Sequence, residues 1–128
     1  MRTVLAGLLL ACGAAHAQVI ECPPAYPLEP MALAGNSKAI VQQSRLSGGG
    51  VYLGNLGGNG EMHGDQRSVK GGINVQYGFG ENEPKWFVCG YGRDRAIGSW
   101  RAIDAKATTC TMQQRTRGDV VTVRAECK

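Results

Sequence analysis

The stretch CTMQQRTRGDVVTVRAEC, residues 110–127, begins and ends in cysteine and constrains the fold more than any other part of the chain. Val121, Val123, Ala125 and Cys127 occupy alternate positions of a β-branched run, the period of a strand with one covered face. Folded back on TTCTMQQ, this run makes a hairpin in which Cys110 faces Cys127, Met112 faces Ala125 and Gln114 faces Val123. The register leaves Gly118 and Asp119 at the tip. A two-residue loop with glycine first suits a type II′ turn, whose twist matches antiparallel strands. Both cysteines then lie opposite one another on one face. Cys110–Cys127 is the preferred bridge and Cys22–Cys89 the one left over, while four cysteines allow three connectivities and a hairpin can slip.

Cysteine usage agrees with export. MRTVLAGLLLACGAAHA combines one arginine, an apolar run from Val4 to Ala11 and an Ala15-His16-Ala17 ending, the pattern of a cleaved secretory signal. Residues 1–17 are read as that signal and 18–128 as one β-rich domain. Leu9-Leu10-Ala11-Cys12 also has the form of a bacterial lipobox, which would anchor the chain in the membrane through Cys12. Either cleavage leaves Cys22, Cys89, Cys110 and Cys127, enough for two disulfides in an oxidising compartment such as the periplasm. The nearest two of these are 17 positions apart, so the close pairs of a structural zinc site are missing and no metal is expected.

Without Arg2 the chain carries 13 basic against 10 acidic residues, a net charge of +3. Its bases alternate with acids, as in RDR and RTRGD, which disfavours a nucleic-acid or membrane-binding stripe. Elsewhere, VIECPPAYPLEP reads as extended and proline-punctuated, with Cys22 pinning the N-terminal segment. MALAGNSKAIVQQSRL is open between helix and strand, with Ile40-Val41 tipping it towards strand. Val51-Tyr52-Leu53 is a short strand between glycine clusters, and INVQYGF alternates like a half-buried one. KWFVCGY has covering side chains on both faces and reads as central; AIGSWRAI is a further strand. These elements predict a mainly β fold, a single small antiparallel sheet curled into a barrel or sandwich and stapled by two disulfides.

Few residues carry chemistry. GNLGGNGEMHG lacks the G-x-G-x-x-G order and any following Lys-Ser/Thr, so no nucleotide or other cofactor is expected. GEMHGDQRSVKGG holds His63, the only histidine after the leader, with Glu61 and Asp65 as conceivable co-ligands of a metal and Ser68 nearby. It has no nucleophile-elbow pattern and too few histidines or carboxylates for a typical metal site, so it reads as a mobile charged loop. The RGD at Arg117–Asp119 is turn chemistry. Trp86 and Trp100 are assigned to the core ahead of the surface, which makes GYGRDRAIG a better contact loop than either. The candidate binding set is His63, Asp65, Arg67 and Lys70 from residues 60–72, with Tyr91, Arg93 and Arg95 from residues 91–98.

Ile20-x-Cys22-Pro23, Trp86-x-x-Cys89-x-Tyr91, Cys110 and the Cys127-Lys128 ending resemble, as a set, a family of small exported proteins of Gram-negative bacteria. The resemblance spans most of residues 18–128 and implies a periplasmic location and disulfides, with no reaction to transfer. Some members are encoded near type VI secretion genes, which implies an immunity protein against a cell-wall-damaging toxin. Periplasmic inhibitors of lysozyme offer an architectural analogy; they carry Tyr-x-Cys, whereas this chain has the reverse order, Cys89-Gly90-Tyr91. The expected function is therefore a non-enzymatic periplasmic binding protein whose partner is another envelope protein. The alternatives are an envelope lipoprotein with a structural role and a small hydrolase or metal enzyme centred on His63.

Overall fold

The computed structural model describes residues 16–26 and 44–128. Cys12 with the rest of residues 1–15, and the helix-or-strand segment up to residue 43, lie outside the described residues. Among the described residues eight strands form: β1 (Gln18–Glu21), β2 (Leu46–Leu53), β3 (Asp65–Val69), β4 (Gly72–Gly78), β5 (Lys85–Tyr91), β6 (Ile97–Ala102), β7 (Thr109–Arg117) and β8 (Val120–Cys127). They make two antiparallel sheets, one ordered β1-β8-β7-β4-β3 and the other β2-β5-β6. The mainly β expectation holds, and of its two forms the sandwich is the one adopted. One sheet could not cover both apolar faces. Val51, Phe87, Cys89 and Tyr91 from the smaller sheet instead share a core with Ile20, Val75, Tyr77, Met112, Val123 and Ala125 from the larger.

The β7–β8 hairpin has the register read from sequence, with Cys110 opposite Cys127, Met112 opposite Ala125 and Gln114 opposite Val123. Gly118 takes the positive φ of 62° that the first position of its turn requires. Both expected disulfides are present, Cys22–Cys89 and Cys110–Cys127. They act differently: Cys110–Cys127 crosses neighbouring strands of one sheet, whereas Cys22–Cys89 ties the segment after β1 to the central strand of the other. Two disulfides are the signature of an oxidising, extracytoplasmic environment.

Two local expectations are corrected, and one residue gains a role. Ser47-Gly48-Gly49-Gly50 is no turn cluster but the first half of β2. A Cβ on Gly49 would lie 3.0 Å from Val123 Cγ1 and 3.1 Å from Phe87 Cζ, so glycine lets the two sheets approach here. Trp86 and Trp100 are not core residues; both are half-buried on the outer face of the smaller sheet, where Trp100 meets Tyr52 at 4.9 Å and Trp86 at 6.4 Å between ring centroids. Lys85, unremarked in KWFVCGY, is 2% exposed. Its ammonium donates to the carbonyls of Gly80, Ala105 and Ala107 at 3.0, 2.8 and 2.8 Å, which binds the 79–84 turn to the 103–107 loop.

Candidate functional site

GEMHGDQRSVKGG is not a mobile loop. Gly60 and Met62 bond to the free edge of β2, with Leu53 N donating to Gly60 O at 2.8 Å and Met62 N to Val51 O at 2.9 Å. His63 and Gly64 then cross to the other sheet, and Asp65–Val69 pairs with β4 along its whole length. DQRSV shows no apolar alternation because every residue of this edge strand is exposed, which hid it from the sequence reading. Gly64 makes the crossing possible: a Cβ there would come within 2.5 Å of Val75 Cγ1 and 2.9 Å of Tyr77 Cδ1.

The second expected segment divides. Tyr91 is buried, with its hydroxyl donating to Pro23 O at 3.0 Å and its ring edge-on to Tyr26 at 5.5 Å, so it belongs to the core and not to a contact surface. Burial pushes its phenol above the ordinary tyrosine range. Beyond it, Gly92 at φ 76° starts a short 3₁₀ turn, Arg93–Arg95, in which Asp94 and Arg95 take φ values of 53° and 55°. Side chains rarely adopt that left-handed region, and two in succession need support from outside the turn.

Arg95 supplies the support. Its aliphatic stem runs across paired glycines of β5 and β2, where a Cβ on Gly90 would lie 2.5 Å from Arg95 Cγ and one on Gly48 would lie 3.3 Å from Arg95 Cδ. Beyond Gly50 its guanidinium reaches Glu61, Nη1 to Oε1 at 2.7 Å. The hydrogen bond that Arg95 donates to Glu61 raises the Arg95 pKa further above the usual range. One arginine thus fastens the 92–95 turn to the 60–62 edge segment, and the glycines of the SGGG and CGYG motifs are the track it lies in.

Together these segments wall a cleft of about 490 Å³. His63, Glu61, Asp94 and Arg95 stand around it, Ile73, Val75 and Met112 form an apolar floor, and Tyr77 and Gln114 add polar atoms. Burial, followed by the Glu61 charge, raises the pKa of Tyr77, and the same causes raise that of Tyr52; both phenols stay protonated at neutral pH. The site therefore offers hydroxyl and imidazole groups and an internally neutralised ion pair over an apolar base.

Of the seven residues read as a binding set, His63 and Arg95 meet at this cleft. Arg93 is exposed on the same turn, outside the cleft. Strand alternation sends Asp65 and Arg67 to the opposite face of the larger sheet, where they form an exposed ion pair at 3.6 Å, and Lys70 occupies the β3–β4 turn. Glu61, His63 and Asp65 are thus split between faces, and among the described residues no three His, Cys, Asp or Glu side chains converge. Sequence reasoning treated Glu61 only as a metal ligand and missed Asp94. Its available signal was the glycine spacing, which marks backbone crossed by something large. Compared with protein-family models, curated proteins and solved structures, the chain matches none.

Proposed function

We propose that this chain is a non-enzymatic binding protein of the periplasm, an inhibitor or immunity protein that engages a peptidoglycan-active enzyme or toxin through the cleft between residues 60–64 and 92–95. The observation that carries the reading is the Arg95 latch: two left-handed residues are held at the rim of a cleft by a stem packed on glycines and an ion pair to Glu61. Strain maintained at a surface turn marks a segment whose shape matters. A rim already fixed on a disulfide-bonded frame loses little entropy on binding. Arg93 and His63 on that rim have the polarity to meet the carboxylates that line a glycosidase cleft.

The test is photo-crosslinking in intact cells from position 63 of the exported protein. One envelope protein is captured, and Arg95→Gly, which frees the turn, reduces the yield. Capture of nothing above background across growth conditions, or capture unaffected by Arg95→Gly, overturns the proposal. Turnover of a cell-wall substrate that His63→Ala abolishes without unfolding the protein would replace it with the enzymatic alternative. The lipoprotein alternative is separated by the mass of the mature N-terminus: Gln18 for a cleaved signal, acylated Cys12 for an anchor.

A further inference from the structure

A second surface lies on the far side of the larger sheet. Because Val75, Met112 and Val123 point into the core, the alternate residues of β3, β4, β7 and β8 share the outward face. Across it, Arg67 is level with Asn74, Gln113 and Arg124, the last paired with Glu21 and Glu126 at 3.6 Å each, and Arg115 is level with Thr122. Gly71 O accepts from Thr116 N at 2.7 Å, which brings the β3–β4 turn and Lys70 beside the end of β7. Residues far apart in sequence thus gather four cations at one end of the sheet: Arg67, Lys70, Arg115 and Arg117. No run of basic residues announces them.

Three of these four charges, Lys70, Arg115 and Arg117, have no carboxylate partner among the described residues. Asp119 at the hairpin tip is taken by Arg45 at 2.6 Å, and Asp65 faces Arg67 in an exposed pair at 3.6 Å. Arg115 is also held in place, donating to Ile73 O and Gln114 O at 2.9 Å each and to Asn74 Oδ1 at 2.8 Å. Carbonyl acceptors orient a guanidinium without neutralising it. Beside it is a concavity of about 380 Å³ lined by Arg115, Arg117, Val120 and Thr122.

We propose that this face binds a phosphate-bearing polysaccharide, with one phosphate seated between Arg115 and Arg117 and the chain running towards Arg67 and Lys70. Paired guanidiniums match phosphate oxygens in geometry and charge. Asn74, Gln113 and Thr122 supply amide and hydroxyl groups of the kind that meet sugar hydroxyls. The outward positions Arg67, Asn74, Gln113, Arg115, Arg117 and Thr122 include no aromatic side chain. That weighs against a protein partner, whose binding energy concentrates in buried aromatic and arginine anchors, and against insertion into a lipid surface. The surface is independent of the cleft, and the two readings can fail separately.

The experiment measures binding of the oxidised mature protein to phosphomannan, with uncharged mannan, single-stranded DNA and anionic lipid vesicles as comparison probes. Phosphomannan binds at low salt and weakens as salt rises, uncharged mannan does not bind, and Arg115→Gln with Arg117→Gln weakens binding at least about tenfold. Since Arg115 also bridges strands, Lys70→Gln with Arg117→Gln is the companion variant and loses affinity with an unchanged melting temperature. Arg101→Gln with Lys106→Gln removes the same net charge elsewhere and leaves binding intact. No binding to phosphomannan, equal loss in that control, or tighter binding to DNA or vesicles overturns the proposal.

Discussion

Gly90→Ala should destabilise the protein through Arg95 and not through the strand that carries it. Gly90 is not among the positive-φ residues, so alanine imposes no backbone strain there. Its Cβ, however, would fall 2.5 Å from Arg95 Cγ, 2.6 Å from Arg95 Cβ and 2.8 Å from Arg95 Cδ, and the stem must lift. Such overpacking costs about 1–3 kcal/mol. Release of the Glu61 pair, whose side chains are 38% and 40% exposed, adds less than about 1 kcal/mol. The expected loss is about 2 kcal/mol. Arg95→Gly removes the obstruction and suits φ 55°, so relief of about 1 kcal/mol of left-handed strain offsets the lost pair. In that background Gly90→Ala should fall within about 0.5 kcal/mol of neutral, giving a coupling of about 2 kcal/mol. Urea unfolding of the four oxidised proteins of the cycle, followed by tryptophan fluorescence, measures it. An equal cost of Gly90→Ala with and without the arginine side chain would refute the latch.

Three further predictions follow from the frame. Removing the Cys22–Cys89 pair, 67 residues apart, should cost about 4 kcal/mol in the chain-entropy account, against about 3 kcal/mol for Cys110–Cys127, 17 apart; thermal melts of the paired alanine variants compare them. Lys85→Met should cost at least about 3 kcal/mol in denaturant titrations, because three carbonyls lose a charged donor in a buried setting. Tyr52, Tyr77 and Tyr91 should ionise above the ordinary phenol range in an ultraviolet titration of the folded protein. Because their folded pKa values are raised, the associated stability is fully present below the unfolded phenol pKa and is lost as pH climbs through the folded values.

The residues of the candidate site were readable only in part. His63 and Arg95 stood out as a lone imidazole and a basic residue in a glycine-bounded loop, and both reach the cleft. Tyr91 looked like a contact residue by type, yet the core claims it, since residue type does not say which face of β5 is covered. Arg67 belongs to a different surface because β3 is a strand and sends alternate side chains to opposite sides, and Lys70 stands in the β3–β4 turn.

From residues alone came the β class, the β7–β8 register, its glycine tip and the two disulfide pairs. All but the Cys22–Cys89 pair depend on short-range regularities: period-two alternation, a turn that demands positive φ, and Cys110 and Cys127 placed opposite by that register; Cys22 and Cys89 were the two cysteines left over. Tertiary structure alone decided the split into two sheets, the edge strand β3, the glycines inside β2 and the partner of Arg95. An edge strand exposed on both faces leaves no hydrophobic period to read. A glycine's purpose is set by what passes over it, and Arg95 and Glu61, 34 residues apart, meet only once β2 has paired with β5 and the 60–62 segment has joined the edge of β2.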